Sequence, residues 1–244
     1  MRPLNHVGDR STKNKPVILV SAGHGDVLFG KYTTKGKQSP EWENGIKIYE
    51  GQSVKDLAYN LVQKLRQLDW PAMILNPEIH DVDLHIKSSR ENTFYHIYND
   101  NTYLIELHHN AQSAEGADYT DKDGIRGFKQ GGASGTEIWT SPGETSADPW
   151  VDFIFEYIEV YPFLFGDFRY HKKTKNEKDK EAYFHMLTRT KSPAAIFEWL
   201  FMTTYTDCLK ISSCDVRDQM VKILADAISY ATNSVEDIKQ EKLI

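Results

Sequence analysis

An α/β domain with a mainly parallel, twisted sheet and helices on both faces is the fold class this 244-residue chain predicts. Three observations carry that expectation. Short uninterrupted apolar runs, the mark of strands buried on both faces, recur along the chain. Between them lie stretches with apolar residues three and four apart, the period of an amphipathic helix. The apolar share of 40% and aromatic share of 12%, over a length that suits one sizeable domain, provide enough side chain for a core on each side of the sheet.

Val17-Ile18-Leu19-Val20 is the first run, ended by Ser21-Ala22-Gly23-His24-Gly25, whose two glycines let backbone approach closely. Residues 26–49, broken by Gly30, Gly36, Pro40 and Gly45, read as loop. Val54, Leu57, Ala58, Leu61, Val62, Leu65 and Leu68 then fall at helical spacing. Ser53 with Asp56 resembles a capping box, which starts that helix near Ser53. Ala72-Met73-Ile74-Leu75 reads as the next strand, and residues 83–98 as a polar-faced helix capped by Asp83. Tyr103-Leu104-Ile105-Glu106-Leu107 is a third strand, ending in His108-His109-Asn110. Residues 112–135, rich in Gly, Ser and Asp, read as an unusually long loop. Thr136–Trp139 is a fourth strand, Trp150–Val160 an aromatic-faced helix, and His171–Glu181 a solvated charge run. Ala194-Ala195-Ile196-Phe197 is a fifth strand ending in Glu198, and Val216, Met220, Ile223, Leu224, Ala227 and Ile228 mark the closing helix. No internal repeat is visible. The domain expected from this pattern spans 15–234, with an extension over 1–14 and a tail over 235–244.

Composition excludes several function classes. A net charge of −6 offers no global attraction for nucleic acid. No apolar run approaches the roughly 20 residues of a membrane-spanning helix. Met1–Pro16 is polar and lacks the apolar segment of a secretory signal, so synthesis without a signal peptide is expected. Cys208 and Cys214 are too few for a disulfide framework or a cysteine-rich zinc site. Gly25–Lys31 matches G-x-x-x-x-G-K, but Tyr32 follows where magnesium needs Ser or Thr. Gly36 and Pro40 also break the helix that phosphate binding requires, so no nucleotide is expected. The H-E-x-x-H and G-x-S-x-G signatures are absent. His80-Asp81-Val82-Asp83-Leu84-His85 suggests a second metal cluster, yet its place matches an ordinary loop entering a helix.

Ligands of open α/β sheets collect beyond the carboxyl ends of the strands. His24, His108 and Glu198 each follow a strand closely, which directs all three to that edge. A catalytic zinc takes three His, Asp or Glu ligands and keeps one open position. His24 and His108 suit that role, and Glu50, just before the long helix, supplies a carboxylate third ligand. Because neighbouring residues on a strand face opposite ways, only one of His108 and His109 faces such a metal. Glu198, partly desolvated at the end of an apolar strand, has the raised proton affinity of a general base. The plain alternatives are a turn histidine at 24, a glutamate favoured at 50 by the helix dipole, and a Glu198 paired with a cation such as Arg189.

Five segments together resemble the zinc-dependent N-acetylmuramoyl-L-alanine amidases. They are Val17–Gly25 (VILVSAGHG), Glu50 with its helix, Leu104–Ala111 (LIELHHNA), Gly135–Trp139 (GTEIW) and Ser192–Thr204 (SPAAIFEWLFMTT). The similarity spans roughly residues 15–232. It implies one Zn2+ held by His24, Glu50 and His108, the motif register favouring His108 over His109, with Glu198 as catalytic base. It implies hydrolysis of the amide between the lactyl group of muramic acid and L-alanine in peptidoglycan. Glycan and stem peptide are then the partners, with Asn110 and Arg169 as substrate-binding candidates. The 112–135 loop and the 171–181 run are expected to shape the groove. Acting on the cell wall without an export signal fits a phage endolysin made in host cytoplasm, and equally a bacterial enzyme whose leader was removed. A related zinc exopeptidase and a metal-free wall-binding protein of the same fold are the alternatives. Ser21 stands where the family has Asp, Asp26 where it has a second Gly, and Glu106 where it has Ser. Trp199-Leu200-Phe201 takes the place of the Gly-Phe pair after the base.

Overall fold

Apolar runs and helical periods alternate along the chain, and the resulting strands join in one sheet. The computed structural model describes residues 15–170 and 178–241. In chain order the strands are β1 (Val17–Ala22), β2 (Val27–Leu28), β3 (Lys31–Tyr32), β4 (Ala72–Ile74), β5 (Thr102–Asn110), β6 (Tyr119–Thr120), β7 (Arg126–Gly127), β8 (Thr136–Thr140), β9 (Lys180–Glu181) and β10 (Ala194–Phe201). The helices are α1 (Glu50–Gln67), α2 (Leu84–Ile97), α3 (Asp148–Ile158), α4 (Pro162–Phe165), α5 (His185–Thr188), α6 (Tyr205–Ser212) and α7 (Cys214–Glu241). The central sheet has the order β4-β1-β5-β10-β8-β9. Its first four strands run parallel, β8 is antiparallel to β10, and β9 is parallel to β8. This is the mainly parallel sheet that the uninterrupted apolar runs predict.

Both faces are covered. One face carries Ile18, Val20, Ile105, Leu107 and Phe197, packed against α1, α3 and α7 in the larger core. The other carries Leu19, Leu104 and Ile196 in a smaller core with Met186 and Leu187 of α5, and α2 lies on that side against β5 and α5. The thinner cover on this second face leaves room for a cavity.

Several boundaries differ from expectation. Helix α1 starts at Glu50 rather than Ser53, and no side chain of its cap residue Tyr49 bonds it. The Tyr32 hydroxyl serves that end instead, accepting the Gly51 N–H at 2.8 Å, while the Glu50 N–H donates to the Lys37 carbonyl at 3.0 Å. Asp83 does cap α2, accepting the His85 N–H at 2.8 Å. Segment 112–135 is organised rather than open. Asp121 accepts the backbone N–H groups of Glu41, Asp123 and Ile125, which folds the β6–β7 hairpin. The stretch from Val27 to Tyr32, which a phosphate-binding motif would need as a helix start, is the β2–β3 hairpin. The tail boundary placed after residue 234 falls inside α7, which continues to Glu241.

The largest difference concerns the two strands that bear the site. Strands β5 and β10 continue past their apolar runs, because their ladder keeps pairing Glu198 with His108 and Phe201 with Asn110. The register shifts between Glu198 and Phe201, and Leu200 within that bulge has φ +60°. Bulges of this kind re-aim side chains beside functional sites. A left-handed leucine is strained by about 1–2 kcal/mol, which its complete burial offsets here.

Candidate active site

Period-2 alternation decides which polar residues meet. Glu106 and His108 are two apart on β5 and share a face, and β10 places Ile196 opposite Glu106 and Glu198 opposite His108. Glu198 is also paired with Glu137 of β8, so His108, Glu198 and Glu137 form one row across three strands. Gly23, His24, Glu106, His108, Ile196 and Glu198 line a cavity of about 400 Å³ above this row, closed at its sides by Lys37, Leu84, Phe184, His185 and Met186. These walls come from α2, from α5 with its cap residue Phe184, and, for Lys37, from the segment between β3 and α1. The 112–135 segment does not contribute, and of the 171–181 run residues 171–177 lie outside the described residues.

Glu50 enters from the other side of the sheet edge, at the first turn of α1, where the helix dipole favours a carboxylate. Its Oε1 lies 3.0 Å from His108 Nδ1 and 3.5 Å from His24 Nε2. The two imidazoles meet edge to face, with ring centroids 4.9 Å apart. Two close approaches make this convergence possible. A Cβ on Gly23 would sit 2.0 Å from His108 Cε1, and one on Gly51 would sit 1.7 Å from the Gly25 carbonyl oxygen. We therefore expect Gly51→Ala to destabilise the protein by roughly 1–3 kcal/mol through overpacking, although helix propensity alone favours Ala by about 1 kcal/mol. Denaturant unfolding measures the sign, and a more stable variant would contradict the tight seat of α1 on the His24 turn.

His109 points the opposite way. Its Nδ1–H donates to the Trp199 carbonyl at 2.7 Å, and its Nε2 accepts the Ser53 hydroxyl at 2.8 Å. Burial lowers its pKa to about 4, so it is a neutral core histidine. The serine read as a helix cap is thus its partner.

His24, Glu50 and His108 offer ligand atoms that all lie within 4.8 Å of one another, the only such group among the described residues. The donor set of two imidazoles and a carboxylate is one that catalytic zinc sites use. Two of the atoms, His24 Nε2 and Glu50 Oε2, are buried without a hydrogen-bond partner, which buried polar atoms rarely are unless an ion or water completes them. Burial lowers the His24 pKa to about 4, leaving the neutral ring that metal binding requires. Burial would also protonate Glu50, but the hydrogen bond and charge of His108 outweigh it and keep the carboxylate ionised. The residues fit a divalent cation, which would take the place of one proton of the His108 ring, held in the metal-free fold between the Glu50 and Glu106 carboxylates with its pKa raised to about 10.

Glu198 behaves differently. Its Oε2 is buried and unpartnered, so a pairing with Arg189 is not what holds it. Burial pushes its pKa up to about 7, the His108 charge opposing the shift and the Glu50 charge adding to it. A carboxyl balanced near neutrality in a cavity can both take and give a proton. Asn110 and Arg169 are drawn together by Glu137, which accepts Asn110 Nδ2 at 2.9 Å, Arg169 Nε at 2.8 Å and Lys180 Nζ at 2.6 Å. Neither lines the cavity. The cavity wall at Lys37, Leu84 and His185, and the anchoring carboxylate of Glu137, were not singled out as site residues from sequence. A polar residue on a loop or helix carries no local sign of which cavity it will face.

The sequence profile of the N-acetylmuramoyl-L-alanine amidase family matches residues 18–230. No curated protein matches the chain in sequence. Among solved structures, an N-acetylmuramoyl-L-alanine amidase from Clostridium difficile 630 superposes with a TM-score of 0.62 at 18% identity, covering 91% of this chain and 98% of its own. The amidase Ami1 from Mycobacterium smegmatis gives 0.64 at 11% identity, covering 90% and 97%. The catalytic domain of the CD27L endolysin, which targets Clostridia difficile, gives 0.57 at 18% identity, covering 90% and 97%. At these identities the superpositions speak for the fold, whereas the profile spans nearly all of the sheet and its helices: the chain belongs to the N-acetylmuramoyl-L-alanine amidase family.

Proposed function

We propose that this protein hydrolyses the amide between N-acetylmuramic acid and L-alanine in peptidoglycan, using one zinc ion held by His24, Glu50 and His108, with Glu198 as general base. The observation that carries the reading is a carboxylate with one oxygen buried and unpartnered, sharing one cavity with two of the three prospective ligands. When bound, the ion supplies polarisation of the scissile carbonyl and acidification of the attacking water. Glu198 Oε2 accepts the proton of that water and returns it to the departing alanine nitrogen, a transfer worth about 10²–10⁴ in rate. Leu84, Phe184 and Met186 give the cavity an apolar wall beside this exchange. Asn110 and Arg169 contact substrate from beyond Glu198, with Glu137 fixing both; the Arg169 side chain is 43% exposed and its remaining N–H groups suit a carboxylate of the stem peptide. Residues 15–234, with the remainder of α7 to Glu241, form the catalytic unit in this reading, and the cell wall is its site of action.

Digestion of purified peptidoglycan followed by mass spectrometry tests the bond assignment. Free stem peptides beginning with L-alanine are expected. Shortened peptides still attached to glycan would make the protein a peptidase instead, and intact wall with bound protein would make it a binding module.

A further inference from the structure

Beneath the cavity floor lies a polar cluster that takes no part in the proposed proton transfer. Lys87 of α2 is fully buried, and Ser21 and Glu106, paired in register on β1 and β5, are buried beside it. The Lys87 ammonium has three acceptors for its three protons: the Ala22 and Gly23 carbonyls, each at 2.8 Å, and Glu106 Oε2 at 3.3 Å. Ser21 Oγ donates to the same Oε2 at 2.6 Å. The other oxygen, Glu106 Oε1, accepts the His108 Nε2–H at 3.1 Å.

Taking an ammonium out of water is costly, so a buried lysine whose bonds end on two segments of the site needs a reason. One segment is the backbone immediately before His24. The other is the carboxylate that receives the far nitrogen of the His108 ring. With Nε2–H held by Glu106, His108 Nδ1 is the nitrogen left facing Glu50 and His24. A ring turned over would set a carbon against the Glu106 carboxylate. Carboxylates that hold the remote N–H of a ligating histidine fix its tautomer and raise its basicity as a ligand.

We infer that Lys87, Glu106 and Ser21, none of them a ligand, are positioning residues that hold His24 and His108 in the geometry and His108 in the tautomer that a divalent cation needs. This rests on the reading that His24, Glu50 and His108 bind a metal ion. The cluster is a single device: the ammonium orders Glu106 and the His24 turn at once, and Glu106 aims the ring.

The test uses the full chain titrated with Zn2+ against a competing chelator, and with Co2+ followed by its visible absorption. Glu106→Gln keeps the shape but gives up the charge. It is expected to bind Zn2+ about 10–100-fold more weakly, the usual cost of losing such a partner, and to shift the Co2+ spectrum. Ser21→Ala removes only one hydroxyl from the carboxylate, so it keeps the fold, and it is expected to weaken binding in the same direction by a smaller factor. Wild-type affinity and an unchanged Co2+ spectrum in folded variants would overturn the assignment while leaving the metal reading intact. A wild-type chain that takes up neither ion would overturn the metal reading itself, and this assignment with it.

Discussion

Glu198→Gln is expected to keep the metal site loaded, lower amide hydrolysis about 100-fold or more, and raise the stability of the metal-free protein at alkaline pH. The two effects share one cause. The Glu198 carboxyl titrates near 7 in the fold, against 4.5 ordinarily, because burial disfavours its charge. Between those values the folded chain holds a proton that the unfolded chain releases. Its contribution to stability is therefore complete below about 4.5 and is lost as pH rises through 7. Above that, the fold carries an ionised carboxylate with one oxygen buried and unpartnered, at a cost on the order of 3 kcal/mol. Glutamine cannot ionise, so the variant gains that amount at pH 8 and almost nothing at pH 4. Urea unfolding at the two pH values, together with turnover on purified peptidoglycan, reads both effects. Near-normal turnover would remove Glu198 from the mechanism. Equal stability of the two proteins at pH 8 would mean that its carboxylate is hydrated after all.

Substituting His24 by alanine should act on the ion rather than on the proton. His24 is a neutral ring whose Nε2 has no hydrogen-bond partner, so its loss leaves no partner stranded and the fold should survive. What disappears is one of the three proposed ligands. We expect bound zinc to fall from about one per chain to near zero, and affinity to fall by more than the 10–100-fold typical of an outer partner. Metal analysis after dialysis, with circular dichroism to confirm the fold, checks this. Stoichiometric zinc in the variant would remove His24 from the ligand set. The pair of variants separates two roles: Glu198→Gln should be loaded and inactive, His24→Ala inactive because it is empty.

Most of the sheet was legible because it is written locally. Four-residue apolar runs at Val17, Ala72 and Ala194 all became parallel strands, and the period from Val54 to Leu65 became the buried stripe of α1. Strand ends were less legible. His108 and Glu198 read as residues after a strand, yet they lie within strands because each continues the other's ladder, and pairing between distant segments leaves no trace in either one alone. Helix α1 begins three residues early for a similar reason. Its first N–H groups are served by Tyr32 and the Lys37 carbonyl from a preceding loop, so no local cap marks the start. Lys87 was least visible. On a polar-faced helix a lysine reads as solvated, and only the backbone carbonyls before His24 and the Glu106 carboxylate explain its burial.

The order of strands and helices, and a set of histidines and glutamates of the residue types that the proposed metal site and proton transfer call for, were determined by the sequence itself, since period and residue chemistry are local properties. Tertiary structure decided that His108 faces the cavity while His109 turns into the core, and that Glu198 Oε2 is buried without a hydrogen-bond partner among the described residues. It also set Ser21 against Glu106, 85 residues apart, where two of the departures from the family pattern meet in one hydrogen bond. The physical reason is the same throughout. Direction on a strand follows from which neighbour it pairs with, and the energy of a buried charge follows from what else is buried beside it.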